Sequence, residues 1–300
     1  MSARTPSLVA ALVAAAALAL SGCGGGGTST AAEATDTTTP SASPSFPAGS
    51  TMEAIAQAGS IKIGASPDQP GLSETDLSGE WQGFNIDLAE HLVAGLGLGA
   101  DDIEWVNTTA ANRIPFIQQG KIDLFATALA ITPEREEAIS IAGPWVQAEP
   151  RLIASKADAA AWPDVKSVPA GTKVCVLQGS QGQPRVSAEL PQAEIVEFDV
   201  LTKCVSALRQ GTVDAVDSTA PLLAGFVTEE PDAFAFVPGT YGTAEQWGLG
   251  VGKDRSDLCE YLNEQLQAAY SDGTVEELWA DHMGDSGLEA PAAPGAMDHC

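Results

Sequence analysis

The sequence predicts an α/β fold built as two lobes with a cleft between them. Short apolar strands alternate with amphipathic helices from about residue 58 onward, and this alternation is typical of layered folds with parallel strand pairing. The segment that can fold holds roughly 240 residues, which suits one large domain or two small ones with a real core. No internal repeat emerges, so two lobes are the simplest arrangement.

Apolar periodicity places the first elements. Strands are predicted at residues 61–64, 103–106 and 122–126, and helices at residues 84–95 and 112–119. These segments alternate in the order expected for a parallel sheet covered by helices.

The clearest helix start in the chain lies at Thr132. We expect Thr132 at the N-cap, Pro133 at the first helical position and Glu134 in the first turn, because each residue type is favoured at that position. A second set of strands and helices begins near residue 151 and runs to about residue 237.

The last elements are a strand and two helices. Residues 247–252 are predicted to form the strand, and a helix face follows in which every fourth residue is leucine. Thr274 and Glu277 have the spacing of a capping box at the start of the final helix. The leucine face consists of Leu258, Leu262 and Leu266.

The amino terminus has the features of a secretory signal. Arg4 precedes an uncharged apolar run at residues 8–20, which is too short for the roughly 20 residues that span a bilayer, and small residues then lead to Cys23. The tetrad ending at Cys23 resembles the bacterial lipobox. This resemblance implies a signal peptide at residues 1–22, a lipid on Cys23 and an extracytoplasmic protein anchored to the outer face of the cell membrane.

Charge and composition restrict the partners. The chain carries 40 acidic and 14 basic residues, a net charge of −26, so phosphate backbones repel it and we expect no nucleic acid partner. Residues 23–57 are rich in Thr, Ser, Ala and Pro and are predicted to be a disordered tether. No second apolar run of spanning length follows, so lipid is the only membrane attachment expected.

The other four cysteines are even in number and lie in an oxidising compartment if the signal is real, so pairing is expected. Three connectivities are possible. We favour Cys175 with Cys204, within one βαβ unit, and Cys259 with Cys300, which would tie the tail at residues 285–300 back to the domain. A zinc site is the rival, but the chain has no CxxC pair, and we expect no metal and no cofactor. The histidines are scattered, at His91, His282 and His299.

Several segments together resemble one family, the amino-acid class of bacterial solute-binding proteins that feed ABC importers. The resemblance implies a periplasmic-binding-protein type II fold, with a ligand cleft between the lobes and a permease as partner. The segments that carry it are Gly83-Phe84-Asn85-Ile86-Asp87-Leu88-Ala89, Asn112-Arg113-Ile114-Pro115, Ile131-Thr132-Pro133-Glu134-Arg135, residues 171–180, Gly211-Thr212-Val213-Asp214-Ala215-Val216 and Asp272-Gly273-Thr274.

The type II fold implies a chain that crosses twice between lobes. Lobe one would comprise residues 58–148 and 241–284, and lobe two residues 149–240. The crossings are expected near residues 147–152 and 237–246.

The resemblance also implies a carboxylate-binding site. Arg135 would bind the α-carboxylate of the ligand at the helix start capped by Thr132, and Arg113 would bind a side-chain carboxylate. Gly179 and Ser180 would present a backbone N–H and a hydroxyl from lobe two. The alternatives are that Arg135 and Arg113 are surface charges and that Gly179 and Ser180 form a plain turn.

Two departures from the family pattern leave the ligand open. Ala130 stands where a Ser or Thr is usual, and Thr219 where an Asp for the ligand ammonium is usual. A buried ammonium needs an anion nearby, so either Asp217 or Glu245 replaces the missing partner of the ligand ammonium. Otherwise the ligand is a dicarboxylate that lacks an ammonium. Asp68 begins a loop that resembles the glutamate-binding subgroup.

The leading functional hypothesis is a monomeric, non-enzymatic receptor that captures a small anionic or zwitterionic solute by lobe closure. The alternatives are an enzyme on the same fold, similar to cyclohexadienyl dehydratase, and a ligand sensor without transport. An enzyme would need an acid/base pair in the cleft, for which Asp68, Asp217 and Glu245 are the candidates. Trp145 and Trp247, beside the crossings, are interpreted as core or cleft wall.

Overall fold

A computed structural model describes residues 44–297 and 299–300. The expected signal peptide, Cys23 and the first part of the tether lie outside these residues. In the described range, no helix is both long and apolar enough to cross a membrane.

The strands and helices alternate as the sequence predicts. The strands are β1 (Ile61–Ala65), β2 (Asp68–Gln69), β3 (Ser73–Thr75), β4 (Trp81–Gln82), β5 (Ile103–Asn107), β6 (Leu124–Ala130), β7 (Ser140–Ala148), β8 (Pro150–Ser155), β9 (Lys173–Leu177), β10 (Glu194–Phe198), β11 (Ala215–Thr219), β12 (Phe234–Phe236) and β13 (Glu245–Val251). The helices are α1 (Thr51–Ala58), α2 (Phe84–Ala94), α3 (Arg113–Gln118), α4 (Pro133–Ala138), α5 (Lys156–Ala161), α6 (Gly182–Glu189), α7 (Leu201–Arg209), α8 (Ala220–Glu229), α9 (Ser256–Ser271) and α10 (Thr274–Met283).

Lobe one is built on a sheet with the strand order β5-β1-β6-β13-β7. Strand β1 pairs in parallel with β5 and β6, and β13 is antiparallel to both β6 and β7. The late strand β13 thus lies inside the sheet of the amino-terminal half. A small antiparallel sheet, β2-β3-β4, sits beside it.

Lobe two is built on a second sheet with the order β10-β9-β11-β8-β12. Strand β9 pairs in parallel with β10 and β11, and β8 is antiparallel to both of its neighbours, β11 and β12. The chain leaves the first sheet after Ala148, enters the second at Pro150, and returns between Phe236 and Glu245. The predicted two-lobed α/β fold is confirmed.

The end of the predicted tether is folded, which corrects the expectation for residues 51–57. Helix α1 begins at a Ser50 N-cap that accepts from the N–H of Glu53, and Met52 and Ile55 are buried. Asp257 of α9 accepts hydrogen bonds from the backbone N–H and hydroxyl of Thr51, both at 2.6 Å. This segment is helical because α9 covers its apolar face.

One predicted helix start is confirmed and another is wrong. Thr132 caps α4, and its Oγ1 accepts from the N–H of Arg135. The capping box at Thr274 does not form, because Gly273 in the left-handed conformation takes the N-cap and the Thr274 hydroxyl donates to Asp272 instead.

Both predicted disulfides are present. Cys175 in β9 pairs with Cys204 in α7, and Cys259 in α9 pairs with Cys300. The second bond holds the tail against β7, where the hydroxyl of Ser140 donates to the carbonyl of Cys300. The tail thereby covers the edge strand of the lobe-one sheet.

Trp145 and Trp247 belong to the core. Both are buried, their ring centroids lie 5.8 Å apart, and Trp145 stacks on Phe84 at 5.7 Å.

Candidate ligand-binding site

The strand ends and loops of the two lobes meet at a small enclosed cavity of about 30 Å³. Its wall combines cationic, polar and small apolar side chains from both lobes. The lining residues are Ser66, Gln69, Ala110, Arg113, Ala128, Ala130, Arg135, Leu177, Ser180, Gln181, Arg185, Ser218, Leu222 and Glu245.

Arg135 reaches this cavity from the first turn of α4. Its Nη1 donates to the carbonyl of Ala130 at 2.7 Å, and its Nη2 donates to the carbonyl of Gly179 in lobe two at 3.1 Å. Burial lowers the pKa of Arg135, because the cation is desolvated, while Glu245 and Glu134 act in the opposite direction.

Arg113 reaches the same point from the start of α3. Its Nη1 donates to the carbonyl of Ala128 at 2.8 Å, and its Nη2 donates to Gly179 at 3.2 Å. Burial, followed by the charge of Arg135, lowers the pKa of Arg113 to about 9. Among the described residues, neither arginine forms a salt bridge, because the one acid that borders the same cavity, Glu245, is paired with Arg185.

The loop after β9 differs in detail from the expectation. Gly179 presents its carbonyl oxygen to the arginines, whereas the N–H of Ser180 donates to Leu177 and the Ser180 hydroxyl accepts from Gly182. Gly179 has a φ of +78°, which an amino acid without a β-carbon adopts readily. The turn therefore directs an acceptor, the carbonyl of Gly179, toward the arginines.

A third arginine, Arg185 of α6, organises the opposite wall. Its Nε and Nη2 donate to the two carboxylate oxygens of Asp217 at 3.1 and 2.8 Å, and its Nη1 donates to Glu245 in lobe one at 2.5 Å. The hydroxyl of Tyr241 also donates to Asp217. Burial lowers the pKa of Arg185, but Asp217, Glu245 and Tyr241 raise it further, so the net shift is upward.

The two predicted compensating acids differ in the contacts that they make. Asp217 is buried and its two oxygens are occupied by Arg185 and Tyr241. Glu245 accepts from Arg185 through Oε1 and also lines the cavity. Thr219 is buried with its hydroxyl unpartnered, and Ser218, which precedes it in β11, lines the cavity instead.

A larger open cleft of about 580 Å³ adjoins the cavity. Thr132 lines this cleft, and four residues line both spaces and so form the partition between them. These are Ala130, Gln181, Arg185 and Glu245.

Asp68 does not line the cavity. Its carboxylate accepts from the N–H of Thr202 at 3.2 Å, at the start of α7 in lobe two. The residue lies instead in a separate groove between the lobes, together with Pro70 and Arg209.

The family model described as bacterial extracellular solute-binding proteins, family 3, matches residues 61–285 of the chain. The chain belongs to this family.

Two relatives of this family 3 protein are glutamate-binding proteins named GluB. The one from Corynebacterium glutamicum is 30% identical over 251 residues, covering 80% of this chain and 84% of the relative. The one from Corynebacterium efficiens is 29% identical over 261 residues, covering 83% and 87%.

A similar solved structure is the ancestral amino acid-binding protein AncCDT-1, described as a precursor of cyclohexadienyl dehydratase. It has a TM-score of 0.71 and 27% identity, and the match covers 78% of this chain and 99% of that one. The two-lobed type II arrangement of a family 3 protein is therefore established for this chain.

Sequence reasoning missed Arg185. A signal was available, because Arg185 lies only five positions beyond Ser180, in the first turn of the helix that follows the cleft loop. Its partners could not be read from the sequence, since Asp217 and Glu245 lie on two other strands.

Proposed function

We propose that this family 3 protein is the substrate-binding component of an ABC importer and that it binds an acidic α-amino acid, glutamate or aspartate. The observation that carries the proposal is the convergence of Arg113 and Arg135, both buried and without a carboxylate partner, on the carbonyl of Gly179. The names of the GluB relatives support the same ligand class.

Two carboxylates satisfy these arginines better than one carbonyl does. A guanidinium donates up to five N–H groups in a planar fork, and a carboxylate can accept two of them at once. Each arginine uses one nitrogen on a fixed carbonyl of β6, Ala128 or Ala130, which orients the other nitrogen toward Gly179. The ligand carboxylates would take over the bonds to Gly179.

Glu245 supplies the acceptor for a ligand ammonium. One of its oxygens is bound to Arg185, and its carboxylate borders both the cavity and the open cleft. A buried ammonium requires such an anion, and Asp217 is less available because Arg185 and Tyr241 occupy both of its oxygens.

The charge balance agrees with a ligand that carries two carboxylates and one ammonium. Arg113, Arg135 and Arg185 are cationic and Asp217 and Glu245 anionic, which leaves one net positive charge around the cavity. Glutamate and aspartate each carry one net negative charge at neutral pH.

Calorimetry on two arginine variants tests the proposal. Arg135→Ala should weaken glutamate binding by about 2–5 kcal/mol, because the ligand carboxylate loses its buried partner. Arg113→Ala should strongly weaken glutamate and aspartate but change glutamine little, since glutamine has no side-chain carboxylate.

Arg255→Ala is the matched control, because Arg255 pairs with Asp123 away from the cavity. Its affinity for glutamate should equal that of the wild type. Unchanged glutamate binding by Arg135→Ala would refute the site, and tighter binding of glutarate than of glutamate by the wild type would refute the ammonium assignment.

The cellular location is part of the same proposal. Lipid on Cys23 would hold the receptor at the outer face of the membrane, with residues 24–50 as a spacer before α1. Cys23→Ser should release a soluble form that still binds ligand. Recovery of wild-type protein in the aqueous phase of a detergent partition would contradict the anchor.

A further inference from the structure

Asp68 belongs to lobe one, but its carboxylate contacts lobe two. Its Oδ2 accepts from the N–H of Thr202 at 3.2 Å and from the Thr202 hydroxyl at 3.4 Å. Asp68 lies in β2 and Thr202 in the first turn of α7, 134 residues further along the chain. The contact therefore joins the lobes in a groove that is separate from the cavity.

Helix α7 has no side-chain cap of its own. Val200 occupies the N-cap position and cannot accept a hydrogen bond through its side chain. The neighbouring acid, Asp199, pairs with Lys203 at 2.7 Å. The N–H groups in the first turn of a helix need an acceptor, and Asp68 supplies one from the other lobe.

The loop that carries Asp68 also touches the next helix of lobe two. A β-carbon at Gly225 of α8 would lie 2.2 Å from the carbonyl oxygen of Pro70. The loop thus fits against α7 and α8 with no room for a larger residue at Gly225, and this fit requires closed lobes.

Both ends of this contact connect to the ligand cavity. The residue after Asp68, Gln69, lines the cavity. On the other side, Cys204 links α7 to Cys175 in β9, the strand that leads into the turn at Gly179. A shift of α7 relative to Asp68 would therefore move both walls of the site.

We propose that Asp68 is a positioning residue that caps α7 across the cleft when the lobes close, so that closure around the ligand is stabilised by this bond. When the lobes separate, the N–H of Thr202 loses its acceptor and turns to water. The cap makes no contact with the ligand and acts on affinity through the closed state alone.

The electrostatics of the groove agree with a contact made on closure. Burial raises the pKa of Asp68, and the hydrogen bonds from α7 offset this in part. Burial and the charges of Glu74 and Glu230 raise the pKa of Glu229, which Arg209 opposes. Both carboxyls are therefore less readily ionised in the closed arrangement than a solvent-exposed carboxyl is.

Amide hydrogen exchange tests the cap at the Thr202 amide itself, first without ligand and then with glutamate present to hold the lobes closed. The N–H of Thr202 should exchange faster in Asp68→Ala than in the wild type, and Asp68→Asn, which keeps an acceptor oxygen, should retain most of the protection. Asp199→Ala is the matched control, since Asp199 lies beside the same helix start but bonds within lobe two. Equal exchange at Thr202 in wild type and Asp68→Ala under both conditions would overturn the proposal.

A binding arm uses glutamate and rests on the proposed function. Asp68→Ala should weaken glutamate about 3- to 30-fold at pH 7, whereas Asp199→Ala should not change its affinity. If the wild type binds no glutamate, the proposed function fails, and hydrogen exchange at Thr202 still tests the cap. If Asp68→Ala binds glutamate as tightly as the wild type does, the role of the cap fails and the proposed function stands.

Discussion

Arg113 and Arg135 donate to the same acceptor, the carbonyl oxygen of Gly179, at 3.2 and 3.1 Å. The two cations come from different helices of lobe one, and the oxygen comes from lobe two. Their mutual repulsion is part of the reason that the pKa of Arg113 falls to about 9. In the proposed complex, a ligand carboxylate would relieve this repulsion, so that ligand charge and lobe closure would be linked through these three residues.

The lowered pKa of Arg113 predicts a loss of affinity at high pH. Arg113 is charged below about pH 9 and loses its proton as pH rises through that value, so the anion site is complete below pH 9 and weakens above it. Calorimetry with glutamate from pH 7 to pH 10 should show this decline in wild type. Arg113→Gln should lack the part of this decline that comes from deprotonation of Arg113. The ligand amine titrates equally with both proteins, so parallel pH curves for the two would contradict a role for Arg113 in binding.

Two glycines set how closely the lobes approach. A β-carbon at Gly179 would lie 2.8 Å from the α-carbon of Ala111, and one at Gly225 would lie 2.2 Å from the Pro70 carbonyl. Gly179→Ala and Gly225→Ala should each hold the lobes apart, weaken ligand at least about tenfold and give a larger radius of gyration in solution scattering with ligand present.

Gly211→Ala is the control for these two variants. Gly211 also has a positive φ, +67°, but its β-carbon would meet nothing within 4 Å. It should lower stability slightly and leave affinity unchanged. Wild-type affinity in Gly225→Ala would show that the lobes can close without the observed contact.

Glu245 and Asp217 should respond differently to amide substitution. Glu245→Gln should weaken glutamate more than glutarate, because only glutamate has an ammonium, whereas the weaker bond between the substituted amide and Arg185 affects closure around both ligands. Asp217→Asn should mainly lower the melting temperature, since it removes the bidentate partner of the buried Arg185. Equal losses for glutamate and glutarate in Glu245→Gln would argue against an ammonium contact.

Both disulfides should stabilise the fold, but only Cys175–Cys204 should affect ligand affinity. Each encloses a loop, of sequence separation 29 or 41, and should stabilise the fold by about 3–4 kcal/mol in the chain-entropy model. Replacing Cys175 and Cys204 with serine should also weaken ligand, because α7 is freed from β9. Replacing Cys259 and Cys300 should make the tail susceptible to proteases without changing ligand affinity. Free thiols in non-reducing peptide maps of the wild type would contradict both expectations.

Local pattern was sufficient for much of the fold. Thr132 and Pro133 mark the start of α4 because a helix cap depends on neighbours three residues away. The leucines of α9 are buried as their spacing predicts. Composition predicted disorder up to residue 57, but the segment around Met52 and Ile55 is helical because α9 packs against it.

The sequence by itself determined the alternation of strands and helices, the cysteine set and the two arginines of the resembled motif, because each depends on local spacing or on a short motif. Only the tertiary structure decided where the charges pair. Arg185 meets Asp217 and Glu245, 32 and 60 residues away, and Asp68 meets a helix 134 residues away. Such partners are chosen by the packing of two sheets and the closure of two lobes, and no local pattern encodes the distance between them.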